Sequence, residues 1–176
     1  RDPRNIITSI KNHYDLDYDK AIKWMTNKNN YIYDVEKVEE VGYGDFQFIS
    51  SWDLNYKSWK VQKKIPIKFI KYEDLTKQTY SVVLEIIEFI YKITNNYNKI
   101  NKNKLKNALN STTFEKLQHK EKIQGFSEAV SSLTTNEKIT FFNLGPKNDW
   151  KKILNEDLKN RINQIFEKNL KELSYI

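Results

Sequence analysis

The sequence predicts an α/β protein in which helices predominate and a single strand stands among them. Apolar residues recur at helical spacing along most of the chain, and one short β-branched run, Ile65–Tyr72, breaks that period. With 11 Tyr, 9 Phe and 4 Trp, the chain carries enough large side chains for a core despite a mean hydropathy of -0.77. At 176 residues it is one domain or a large part of one.

Asp2 followed by Pro3 is an N-cap and first-turn pairing, and Ile6, Ile7, Ile10 and Tyr14 fall on one side of the helix it opens. Asn5, Ser9 and Asn12 form a neutral polar stripe on another side. A second helix is expected from Asp17 to Asn27, built on Leu16, Ala21, Ile22 and Met25. Residues 31–45 are a poorly patterned connection, and Phe46, Ile49, Trp52, Tyr56 and Trp59 predict a buried helix. The alternating run Ile65–Tyr72, with Pro66 at its entry, reads as a strand. Thr76 is expected to cap a long helix through Ile93. Two short helices, Lys102–Leu109 and Thr112–Lys122, should follow, and Asn155 caps a last helix carrying Leu158, Ile162, Ile165, Phe166, Leu170 and Leu173.

The composition excludes several chemistries. No cysteine means no disulfide, thiolate nucleophile or thiolate-based zinc site, and two scattered histidines, His13 and His119, make no metal cluster. No apolar run approaches the ~18 residues that cross a bilayer. A soluble, cytoplasmic protein without a metal is expected. The net charge of +7 fits an anionic partner, so a basic helical module binding nucleic acid or another anion is one reading. Arginine makes most bidentate base contacts, however, and Arg1, Arg4 and Arg161 are the only arginines. Nucleic acid is therefore not the expected partner.

The chain opens without Met, directly at a helix start, and its one strand cannot satisfy its own backbone hydrogen bonds. Both features lead to the expectation that residues 1–176 are the later part of a longer domain whose sheet lies upstream.

The residues resemble a known family. Arg1-Asp2-Pro3-Arg4-Asn5-Ile6-Ile7-Thr8-Ser9 is similar to the second cofactor motif of the sulfotransferases that use 3'-phosphoadenosine 5'-phosphosulfate, where an Arg and a Ser eight positions later hold the 3'-phosphate. Val41-Gly42-Tyr43-Gly44 looks like the substrate-side segment, and Ile70-Lys71-Tyr72-Glu73-Asp74-Leu75 like the strand-end Tyr-Glu-Asp block. Ser111-Thr112-Thr113-Phe114 resembles the adenine-side Thr-Ser-Phe. Phe141-Phe142-Asn143-Leu144-Gly145, with Asp149-Trp150-Lys151, resembles the C-terminal signature.

The resemblance implies the mostly helical C-terminal portion of a P-loop-like fold, with the parallel sheet largely upstream. It implies transfer of a sulfuryl group from the nucleotide, leaving adenosine 3',5'-bisphosphate, to a hydroxyl or amine on a small-molecule or glycan acceptor. Arg1, Ser9, Tyr72, Thr112, Thr113, Phe114, Leu117 and the 141–145 segment would hold the cofactor, with Phe114 and Leu117 bracketing the adenine. The family's phosphosulfate loop and catalytic His precede the first of these motifs, so no catalytic residue is assigned in this chain and the chain alone should be inactive.

An Arg fork suits phosphate because it offers paired donors, and Ser9 lies ~9 Å along the helix from Pro3, so the anion would sit beside the first turns rather than on the helix tip. Family members commonly show Arg-Lys where this chain has Asn143-Leu144; Lys147 is the candidate replacement cation, aided by backbone amides of the Gly145 turn. Many members carry a Thr-Val dimer motif after Asp-Trp-Lys, which residues 151–161 lack, so no dimer is implied.

Overall fold

A computed structural model describes residues 1–32, 46–132 and 134–176. Helices dominate the described residues: α1 (Pro3–His13), α2 (Tyr18–Thr26), α3 (Trp52–Lys60), α4 (Tyr72–Lys77), α5 (Thr79–Ile93), α6 (Lys102–Ser111), α7 (Phe114–Gln124), α8 (Trp150–Ile153) and α9 (Glu156–Glu172). Two short strands, β1 (Tyr31–Ile32) and β2 (Gln47–Phe48), pair antiparallel, Tyr31 opposite Phe48. None of the helices among the described residues is long and apolar enough to cross a membrane.

Local signals built the helices at both ends of the chain. Asp2 accepts from the Arg4 N–H at 2.9 Å, Asp17 from the Lys20 N–H at 2.7 Å and Asn155 from the Leu158 N–H at 2.9 Å, each filling one of the orphan donors of a first turn. The apolar stripes they start meet in one core: Ile7 and Ile10 of α1, Ala21, Ile22 and Met25 of α2, and Ile162, Phe166 and Leu170 of α9. Trp52 of α3 sets its ring edge-on against Phe166, with centroids 5.4 Å apart.

The middle of the chain departs from expectation. Residues 65–70 run without strand pairing, because no second strand lies beside them among the described residues, and a ladder needs a partner. Tyr72 accordingly opens α4 instead of ending a strand. The long helix expected from Thr76 is divided by Gln78, whose φ of -130° and ψ of 45° interrupt it. Thr76 lies inside α4, where its hydroxyl bonds back to the Glu73 carbonyl rather than forward to a first turn. The helix expected from Phe46 starts only at Trp52; Phe46 is 62% exposed, and the β-prone pair beside it joins β2 instead. The Val41-Gly42-Tyr43-Gly44 segment lies outside the described residues.

Candidate functional site

The polar stripe of α1 faces a cavity of about 610 Å³. Arg1 and Ser9 both stand on its wall, with Tyr72 from α4, Phe114 from α7, and Phe141 through Gly145 from the turn that leads into α8. Residues 144 positions apart in sequence thus share one space because α1, α4 and that turn converge on it.

Arg1 is positioned twice. Its guanidinium carbon lies 4.2 Å from the centre of the Tyr72 ring, and its Nη2 donates to the Gly145 carbonyl at 3.0 Å. Its Nε is buried and has no acceptor among the described residues. A guanidinium has five donor hydrogens, so this one is held in place with most of them uncommitted to the described residues.

Gly145 is fixed by its surroundings. It has a φ of +49°, and a Cβ there would lie 2.2 Å from a ring carbon of Phe114. Only glycine permits both the left-handed backbone and the ring's close approach. The turn is otherwise held by α7: Glu121 accepts from the Phe141 and Phe142 N–H groups at 2.6 and 2.9 Å, and Gln118 donates to the Phe142 and Asn143 carbonyls. The Asn143 N–H goes to the Phe141 carbonyl and the Lys147 N–H to that of Leu144. Of the amides expected to cradle an anion, those of Leu144 and Gly145 are therefore left without a hydrogen-bond partner among the described residues.

Phe126, Phe141 and Phe142 stack with centroids 4.7 to 5.2 Å apart, and Phe114 meets Phe142 edge-on at 6.1 Å, giving the cavity an aromatic side. His13 lies on the wall with its ring edge-on to Phe141, and burial pushes its imidazole below the ordinary value against the opposing pull of Glu128.

The expected residues do not all meet here. Thr112 donates to the Ala108 carbonyl at the end of α6, Thr113 caps α7, and half-buried Leu117 sits a turn further along, none of them on the cavity wall. Lys147 is exposed and also off the wall, so the permanent cation among the described lining residues is Arg1. His119 lies exposed on α7, away from it.

A polar clasp that the sequence did not reveal ties α1 to the following turn. Asn5 accepts from the Trp150 N–H at 2.9 Å, and buried Asn148 bonds Thr8 and Ser9. The sequence signal was an Asn on the polar stripe and another before Asp-Trp-Lys, too common a residue type to single out.

Glu73 joins α4 to α1. Burial pushes its carboxyl up, but hydrogen bonds from the Asp2 N–H at 3.0 Å, its own N–H and the Tyr175 hydroxyl at 3.0 Å outweigh that, and the net value lies below the ordinary 4.5. Burial, then the Glu73 charge, pushes the Tyr175 phenol up in turn. A lowered carboxyl stabilises the fold above its unfolded value and loses that stabilisation as pH falls through its folded value. Glu73→Gln is therefore expected to flatten the loss of stability on acidification below 4.5. Denaturant titrations at several pH values check this, and an unchanged acid limb would refute it.

Residues 1–174 match the family model described as a sulfotransferase domain. The chain is 27% identical over 138 residues to a flavonol sulfotransferase-like protein of Flaveria bidentis, a match covering 77% of this chain and 43% of that relative. The chain thus spans less than half the length of the curated relative it matches. No solved structure matches it.

Proposed function

The chain belongs to the sulfotransferase domain family, and from that premise we propose that it supplies the 3'-phosphate and adenine half of a site for 3'-phosphoadenosine 5'-phosphosulfate. The observation that carries this is the pairing of Arg1 and Ser9 on the wall of one cavity, with a buried Arg1 Nε that has no acceptor among the described residues. Those residues fit the group: a fixed guanidinium and a helix hydroxyl suit a phosphate, and the aromatic side suits a purine.

When bound, the nucleotide supplies an activated sulfuryl group for in-line transfer to a hydroxyl or amine of a small-molecule or glycan acceptor. The residues of this chain bind and orient. Arg1 forks onto the phosphate oxygens, Ser9 donates its hydroxyl, and the Tyr72 ring keeps the guanidinium from swinging out. Phe114, Phe141 and Phe142 exclude water from the base. Residues 1–176 form one part of a single domain whose parallel sheet and phosphosulfate loop come from elsewhere in it, and by themselves hold the nucleotide without turning it over.

Binding to nucleic acid is the competing class, and the arginines weigh against it. Arg4 is buried against Asp2 and so is not presented to a duplex, and Arg161, at the surface, is paired with Asp19. Calorimetric titration separates the two. The expected result is at least tenfold preference for adenosine 3',5'-bisphosphate over adenosine 5'-monophosphate, as one charge-assisted hydrogen bond is worth about 1.5–3 kcal/mol. Equal affinities, or duplex binding that falls steeply with salt, would overturn the reading.

A further inference from the structure

Asn148 is 7% exposed, and both hydrogens of its side-chain NH2 are committed. Nδ2 lies 2.9 Å from the Asn5 carbonyl and 3.0 Å from Ser9 Oγ, and Oδ1 lies 2.7 Å from Thr8 Oγ1. The orientation of the amide follows from chemistry: a backbone carbonyl can only accept, so the atom facing Asn5 must be the NH2 group. The second hydrogen of that NH2 then points at Ser9 Oγ. Ser9 is thereby obliged to accept from Asn148, and its single proton must go elsewhere.

The acceptor left to it is the Asn5 carbonyl at 3.2 Å, the longest side-chain contact of the cluster and one made to an oxygen that Asn148 and Thr8 also approach, at 2.9 and 2.8 Å. A hydroxyl in that position gives up its weak acceptor when an anion comes within reach, because a hydrogen bond to a charged acceptor is the stronger one. The backbone of the same residue reaches the other anion ligand. The Asn148 N–H donates at 3.2 Å to the Gly145 carbonyl, which also accepts from Arg1 Nη2.

We propose that Asn148 is the positioning residue of the anion site, fixing Ser9 as a donor toward the 3'-phosphate and tying that donor to the carbonyl that seats Arg1. This rests on the reading that a 3'-phosphate binds between Arg1 and Ser9. Asn148 stands on the same cavity wall, and the role assigned to it is exerted through Ser9, by deciding which way that hydroxyl proton faces.

The test uses the full 176-residue chain and calorimetric titration with adenosine 3',5'-bisphosphate and adenosine 5'-monophosphate. The readout is the ratio of the two affinities, which a general loss of packing would not change selectively. Asn148→Asp replaces the donor with an acceptor that claims the Ser9 proton, and should lower the ratio by about tenfold. Asn148→Ala should lower it in the same direction, and provides the measurement if the aspartate variant does not fold. In a Ser9→Ala background, Asn148→Ala should leave the ratio within about twofold, since the group it acts through is already gone. A ratio unchanged in both Asn148 variants, or a full additional loss in the Ser9→Ala background, overturns the positioning role. A wild-type chain with no preference for the bisphosphate overturns the underlying reading and this inference together. A wild-type preference that Ser9→Ala abolishes and Asn148→Ala leaves intact overturns this inference alone.

Discussion

Arg1→Ala is expected to weaken adenosine 3',5'-bisphosphate binding by about 100-fold while leaving adenosine 5'-monophosphate binding within about threefold, the former from one or two charge-assisted bonds of about 1.5–3 kcal/mol each. The size of the effect follows from preorganisation. The guanidinium is already seated between the Tyr72 ring and the Gly145 carbonyl, so little entropy remains to be lost when the anion arrives. Arg1→Lys keeps the charge but neither the fork nor the ring stacking, and should recover only part of the affinity. Titration calorimetry on the three proteins distinguishes these outcomes, and an Arg1→Ala protein that still prefers the bisphosphate tenfold would remove Arg1 from the site.

The largest stability effect is expected at Arg4, whose place in the same motif conceals a different role. Arg4 is 4% exposed and ion-paired to Asp2 at 2.8 Å. It also donates to Asn163 Oδ1 and the Tyr175 carbonyl, and its guanidinium lies 4.0 Å from the centre of the Trp150 ring. It therefore fastens the start of α1 to α8, to the middle of α9 at Asn163 and to the chain just past the end of α9 at Tyr175. Arg4→Met leaves Asp2 as a buried charge without its partner, which costs about 3–5 kcal/mol, a large share of the ~5–15 kcal/mol by which domains are stable. Adding Asp2→Asn removes that stranded charge while keeping an N-cap oxygen, so the double variant should be more stable than Arg4→Met alone. Chemical denaturation measures both, and a loss below about 1 kcal/mol in Arg4→Met would refute the clamp.

The two arginines of the opening motif thus divide the work, and the sequence did not say how. The resemblance to the family motif singled out Arg1 and Ser9, and the structure puts both on one cavity wall. Nothing in the local pattern distinguished an arginine that faces a cavity from one buried against its own N-cap. Similarly, Phe114 and the 141–145 turn reach the cavity while Thr112, Thr113 and Leu117 do not, because the direction in which α7 leaves its cap decides which side chains face inward.

Helices α1, α2, α6, α7 and α9 were legible because caps and apolar stripes act over three or four residues of neighbouring chain. Composition likewise set the chemistry this chain lacks, since thiols that are absent cannot be supplied by folding. The 65–72 run reads as a strand in sequence and is not one in the structure, because extended backbone becomes a strand only beside another strand. The Asn5–Trp150 and Ser9–Asn148 bonds and the seat of Arg1 at Gly145 join residues about 140 positions apart. No local preference encodes such pairings. They exist because α1, α2 and α9 bury a common apolar core, and packing that core carries the polar stripe of α1 to the turn before α8.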